Sequence, residues 1–149
     1  MALQFAKLGC VIVSWDINID AAQETAKEVE AIGGQAYAFH CDVSQQQDVE
    51  AKAKQVKNVV PHIDIIINNS GIMTLHTFLS HSIQEIDRCI DINVKGCIWV
   101  LEKSFHTYVN ENVILIIKIL GCKRIPSRHD RPQAGSLGIH VLNCWCYGL

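Results

Sequence analysis

Four apolar runs, separated by segments of helical period, constrain this chain more than any other feature. They read C-V-I-V-S-W-D (residues 10–16), Q-A-Y-A-F-H-C-D-V (35–43), D-I-I-I-N-N-S-G (64–71) and N-V-I-L-I-I-K-I-L (112–120). Apolar residues occupy both parities in each run. That suits strands covered by helices on both faces, not a sheet with one wet face.

The segments between the runs carry a helical period. Residues 20–32 set Ala22, Ala26, Val29 and Ile32 on one stripe, and Gly33-Gly34 stops them. A second helix opens on S-x-x-Q, a capping-box pattern at Ser44 and Gln47, and turns Val49, Ala53, Val56 and either Val59 or Val60 inward. A third opens on S-x-x-E at Ser82 and Glu85. Its predicted buried side is Ile83, Ile86, Ile90, Val94, Ile98, Leu101 and Phe105. A short helix over residues 2–8 ends at Gly9. Because every crossover is helical, the sheet is parallel, and the fold class is α/β with a doubly wound sheet.

The alternation stops near residue 120. Residues 121–149 hold two of the three prolines and four of the nine glycines, and show neither period. They are expected to form an irregular tail. Over all 149 residues, 49% hydrophobic and 19% charged residues with a net charge of −2 mark a globular chain with no electrostatic call on nucleic acid or an anionic membrane. The N-terminus shows no basic leader, and V-I-L-I-I-K-I-L (113–120) is too short to span a bilayer, so the expected address is the cytoplasmic side. Seven cysteines without a leader fit reduced thiols. Cys144, Cys146 and His140 match no zinc spacing, so no metal is expected.

Ligands of doubly wound sheets bind at the carboxyl ends of the strands, and three of these ends are polar. Asp16 is placed to accept hydrogen bonds from the ribose hydroxyls of an adenine dinucleotide, and its charge disfavours the 2′-phosphate of NADP. A helix cap or loop carboxylate is the commoner use of such a residue. Asp42 could face an adenine amine with Val43 against the ring, or simply form a turn. Asn69 and Gly71 close the third strand, where an amide and a bare backbone let a ligand approach. Asn93 lies inside the third helix, and Gly96 follows three residues later. Two helix-weakening residues so close predict a local distortion, the kind often found at functional sites.

In this order and spacing, W-D, C-D-V-S, N-N-S-G and D-I-N-V-K-G resemble the short-chain dehydrogenase/reductase family over residues 1–120. The stretches M-A-L-Q-F-A-K-L-G and W-D-I-N resemble its retinol and 17β-hydroxysteroid dehydrogenase branch. The resemblance implies a Rossmann-like, partial dinucleotide-binding domain and hydride transfer between NAD and a small lipophilic alcohol or ketone. It implies cofactor contacts from Asp16, Asp42, Val43, Asn69 and Gly71, with Asn69 also tying strands together. Asn93 would hold a water in the proton relay. It also implies a homo- or hetero-dimer through the long helix at residues 82–108. For full-length relatives the resemblance implies a place at the endoplasmic reticulum or lipid droplet.

Two departures qualify what the resemblance implies. The family's glycine-rich phosphate loop and first strand should precede Met1, so an incomplete sheet and impaired NAD binding are expected. The catalytic Ser, Tyr and Lys also have no counterpart, and no Y-x-x-x-K occurs in the sequence. The expectation is an oxidoreductase fragment inactive alone, or a non-catalytic chain that binds or interferes with a full-length relative.

Overall fold

The computed structural model describes residues 1–60, 62–73, 77–108, 114–117 and 140–145. Helix α1 (Ala2–Ala6) leads into strand β1 (Val11–Asp16) through Gly9, whose φ of +85° suits a residue without a side chain. Helix α2 (Ile19–Ala31) ends before Gly33, at φ +80°, and strand β2 (Ala36–His40) follows. Helix α3 (Gln46–Val59) returns the chain to β3 (Ile65–Asn68). Beyond a 3-10 turn at Phe78–Ser80 come α4 (Ile83–Ile90), a π turn (Asp91–Gly96), α5 (Cys97–Tyr108) and β4 (Ile114–Ile117).

All strand pairs are parallel, and helices cover both faces, as the double-parity runs predict. Against one face, Ile12 of β1 and Ile65 and Ile67 of β3 pack with Ala2, Ala6 and Val29 of α1 and α2. Against the other, Val13, Trp15 and Ile66 pack with Val49, Ala53 and Val56 of α3 and with Ile92 and Val100. Val60, not Val59, is the buried partner at the end of α3. Burial raises the thiol pKa values of Cys10 and Cys97, which disfavours their thiolate forms.

The tail departs from expectation. His140–Trp145 forms a strand, β5, and the sheet order is β2-β1-β5-β3-β4. Six residues of β5 pair with β1 and four with β3. The slot between β1 and β3 is therefore filled, not open. The rest of residues 121–149 lies outside the described residues. The physical reason is tertiary: two facing strand edges with unmet N–H and C=O groups favour a third strand whatever its local period.

The long helix is also turned differently from its predicted orientation. Ile83, Ile86, Ile90, Val94 and Ile98 face solvent, with Ile83 72% exposed and Ile98 56% exposed. The row that meets the sheet is Ile92, Gly96, Val100 and Ser104. Leu101 packs partly against the core, and the side chain of Phe105 lies outside the described residues. Close contact decides this orientation. A Cβ on Gly96 would stand 3.0 Å from Val43 Cγ2 and 3.1 Å from the Val43 carbonyl oxygen, so only glycine lets the helix approach this near.

Candidate functional site

The parallel register brings the polar strand ends to one rim of the sheet. Asp16 lies level with His40 of β2 and Trp145 of β5, and Asn68 lies level with Cys144 and Ile117. Asp16 is buried, only 4% exposed, and its Oδ1 accepts the Asn18 N–H at 2.8 Å. Asn18 in turn caps α2 by accepting from the N–H groups of Asp20 and Ala21. Burial raises the Asp16 pKa above the usual carboxylate range, and backbone N–H groups of Asn18 and Ile17, with His40, only partly offset it. A carboxylate short of water is a strong acceptor for neutral hydroxyl donors.

That shift has a measurable consequence for stability. With the folded pKa above the unfolded one, the ionised form is disfavoured by folding. The resulting destabilisation is absent in acid and appears as pH rises through the folded pKa. Asp16→Asn keeps the carbonyl that accepts from Asn18 and removes the charge. It is expected to melt at a higher temperature than the parent at pH 7, with the gain disappearing towards pH 4. A lower melting temperature at pH 7 would show that the carboxylate is stabilising.

At the second corner, Asp42 Oδ1 accepts both the Ser44 N–H (2.9 Å) and the Ser44 hydroxyl (2.7 Å). Ser44 is therefore not the predicted cap: α3 starts at Gln46 with Gln45 at the cap position and no side-chain bond there. Asp48 instead reaches back, its Oδ2 accepting the Asp42 N–H at 2.7 Å. Val43, only 2% exposed, packs in the core beside Gly96.

The third corner is built around Asn93. The predicted distortion is the π turn at Asp91–Gly96, which carries Asn93. Asn93 Oδ1 accepts the Ile72 N–H and its Nδ2 donates to the Ile72 carbonyl, both at 2.8 Å. The helix thus clamps the loop that follows N-N-S-G. Asn68 Nδ2 donates to the Cys97 carbonyl at 3.2 Å, tying β3 to the start of α5. Asn69 and Gly71 are half-buried at this corner. Between them, the Ser70 hydroxyl is buried without a hydrogen-bond partner among the described residues.

A crevice of about 310 Å³ opens between the first two corners and the α4 side of the long helix. Ile17 and Ile92 give it apolar walls, Asp42 and Ser44 line the β2 side, and Gln84, Asp87, Arg88 and Asp91 line the helix side. Of the predicted site residues, Asp42 lines the crevice itself and Asp16 precedes its wall residue Ile17. Val43 stands behind, in the core. Asn69, Gly71 and Asn93 belong to the neighbouring β3 corner and are not among the crevice walls. Sequence reasoning missed Ile17, Ile92 and the polar helix row 84, 87, 88 and 91. That row was visible as i, i+3, i+4, i+7 spacing just before Asn93.

The residues fit one half of an adenine dinucleotide. A desolvated carboxylate at a strand end, a second carboxylate on an apolar-walled crevice and an orphaned buried hydroxyl all suit an adenosine moiety. Of the helix N-termini flanking the crevice, α2 is capped by Asn18 and α4 by the Ser82–Glu85 capping box, whereas α3 starts beside Ser44 with no side-chain cap.

Comparison with known proteins bears on the fold and the family. The family model described as short chain dehydrogenase matches residues 1–122. Epidermal retinol dehydrogenase 2 of Mus musculus is 32% identical over 147 residues, which cover 98% of this chain and 44% of that protein. Estradiol 17-beta-dehydrogenase 11 of Mus musculus is 31% identical over 111 residues, covering 74% and 37% respectively. Among solved structures, a short-chain type dehydrogenase/reductase from Mycobacterium marinum superposes with a TM-score of 0.68 at 29% identity, covering 71% of this chain and 42% of that one. The chain thus spans less than half the length of each of these relatives. With the family model matched over residues 1–122, relatives above 30% identical over most of its length and a doubly wound parallel sheet, this chain is a member of the short-chain dehydrogenase family.

Proposed function

We propose that the chain carries the adenosine-binding side of an NAD-dependent oxidoreductase for a lipophilic alcohol or ketone of the retinol or steroid kind. As a 149-residue polypeptide it turns nothing over. The observation that supports this most directly is the buried, desolvated Asp16 carboxylate at the end of β1, which favours NAD over NADP by charge. Asn69, Gly71 and Ser70 flank the same rim, and Asn93 holds the loop there and would position a relay water. Without a Tyr and Lys pair for proton transfer, the rate falls by on the order of 10² to 10⁴.

The test is a titration of the 149-residue chain with NADH, followed by fluorescence and melting temperature, alongside oxidation assays of all-trans-retinol and estradiol with NAD. Weak saturable binding without turnover is the expected result. Turnover above buffer would overturn the inactivity. A total lack of response to adenine compounds at millimolar concentration would overturn the site.

A second reading draws on a separate observation, the solvent-facing row Ile83, Ile86, Ile90, Val94 and Ile98. Five apolar side chains on one helix face form a patch of the type that marks a protein interface. This row supports pairing with a second copy or a full-length relative, which would make the chain a non-catalytic partner. Sedimentation should show dimers at micromolar concentration, dispersed to monomers by Ile90→Glu with Val94→Glu. A parent chain that stays monomeric would exclude this.

A further inference from the structure

We propose that β5 is an exchangeable strand, and that two copies of this chain trade it to form a strand-swapped dimer. The proposal is independent of the adenosine reading and uses a surface other than the solvent-facing isoleucine row.

The sheet order carries it. β5 is the last described element in the sequence, yet it sits in the middle of the sheet, between β1 and β3. Among the described residues β1 and β3 share no ladder of their own, so one inserted strand joins the pair β2–β1 to the pair β3–β4. The main contacts of β5 are with β1 and β3, not with a helix, so it can leave and re-enter as a separate unit. Local preference does not fix it either, because residues 121–149 carry two of the three prolines and four of the nine glycines. The seat between β1 and β3 fixes the strand. Val141 stands level with Ile12 and Ile65, and Leu142 with Val13 and Ile66, so the seat demands apolar residues at two successive levels.

A second copy meets that demand in full. Exchange between copies rebuilds every ladder bond and every level neighbour, so the swapped and unswapped forms differ little in contact energy. Reach does not separate them. Residues 118–139 join β4 to β5 and, drawn out, span up to roughly 75 Å. The straight path from the end of β4 to the start of the seat is under about 20 Å. Concentration is what separates the two forms. A tether of this length holds β5 at its own seat at an effective concentration on the order of millimolar. Micromolar chains should close on themselves, and chains refolded near millimolar should trade strands.

The test is to unfold the full chain in denaturant, refold it at micromolar and at near-millimolar concentration, and measure mass by light scattering. The concentrated sample should hold roughly tenfold or more dimer, and that dimer should survive dilution. Two differently tagged copies should form hybrids when refolded together and none when mixed after folding, because exchange requires the sheet to open. A copy with Val13→Cys and another with Leu142→Cys, level partners in the ladder, should then yield a disulfide between positions 13 and 142 of different chains, identified by peptide mapping. Ile90→Glu with Val94→Glu should leave these dimers intact. Hybrids formed from folded chains, or dimers lost with the two glutamates, would assign the association to the helix face and overturn the swap. Monomers at every refolding concentration, or hybrids without the link between positions 13 and 142, would overturn it too.

Discussion

Deleting residues 140–149, or replacing Leu142 with proline, is expected to abolish the cooperative thermal transition. Strand β5 is hydrogen-bonded on both sides, to β1 along six positions and to β3 along four. Proline at Leu142 removes a ladder donor from the sheet's middle strand, where proline is essentially never tolerated. Without β5 the sheet becomes two separate pairs, β2 with β1 and β3 with β4. Two-stranded pairs are marginal in water. Both packed layers need β1 and β3 held side by side: Val13, Trp15 and Ile66 share one core, and Ile12, Ile65 and Ile67 share the other. The loss should exceed about 5 kcal/mol, the lower end of a domain's whole stability. Circular dichroism during heating would show residual helix and a featureless melt. A sharp melt within a few degrees of the parent would mean that β5 is dispensable.

Asn93→Ala should have the next largest effect. It removes two 2.8 Å bonds and strands the N–H and carbonyl of Ile72 against a part-buried helix. Leaving both groups unpaired should cost about 2–3 kcal/mol, or roughly 5–10 °C in melting temperature. Asn93→Asp discriminates further. A carboxylate still accepts from the Ile72 N–H, but it repels the Ile72 carbonyl. When protonated it can donate to that carbonyl. The substituted carboxyl therefore has its folded pKa raised, and its stability contribution is present in acid and lost as pH rises through that pKa. The Asp variant should approach the parent near pH 4 and fall away by pH 7. An Ala variant that melts with the parent would show that the clamp is redundant.

What was legible in the sequence follows from where each feature's cause lies. The strands β1 to β3 were readable because a run that is apolar at both parities fits few environments. The π turn was readable because Asn93 and Gly96 both weaken a helix locally. The Ser82–Glu85 box formed as its spacing predicts. Three features were not readable because competition decided them. Ser44 has the spacing of a cap, but the carboxylate of Asp42 is nearer and charged. The long helix carries its strongest apolar stripe outward because the sheet accepts the slimmer row with Gly96. Strand β5 exists because of a gap between β1 and β3, which no window over H-V-L-N-C-W can sense. The place of Asp16 and Asp42 at the rim of the sheet was legible from the strand ends. The spacing of the helix row from Gln84 to Asp91 was visible, but its place on the crevice was not, because that depends on which way the helix is rolled.

The position of β5 also sets how this chain must fold. Val11 pairs with His140, 129 positions away, and Ile65 pairs with Val141. Pairings this remote in sequence raise the contact order, and the entropy of closing so long a loop must be met before any hydrogen bond forms in return. Refolding should therefore be slow for the chain's length. Its kinetics should show local helices within microseconds and a late phase in which the two halves are joined.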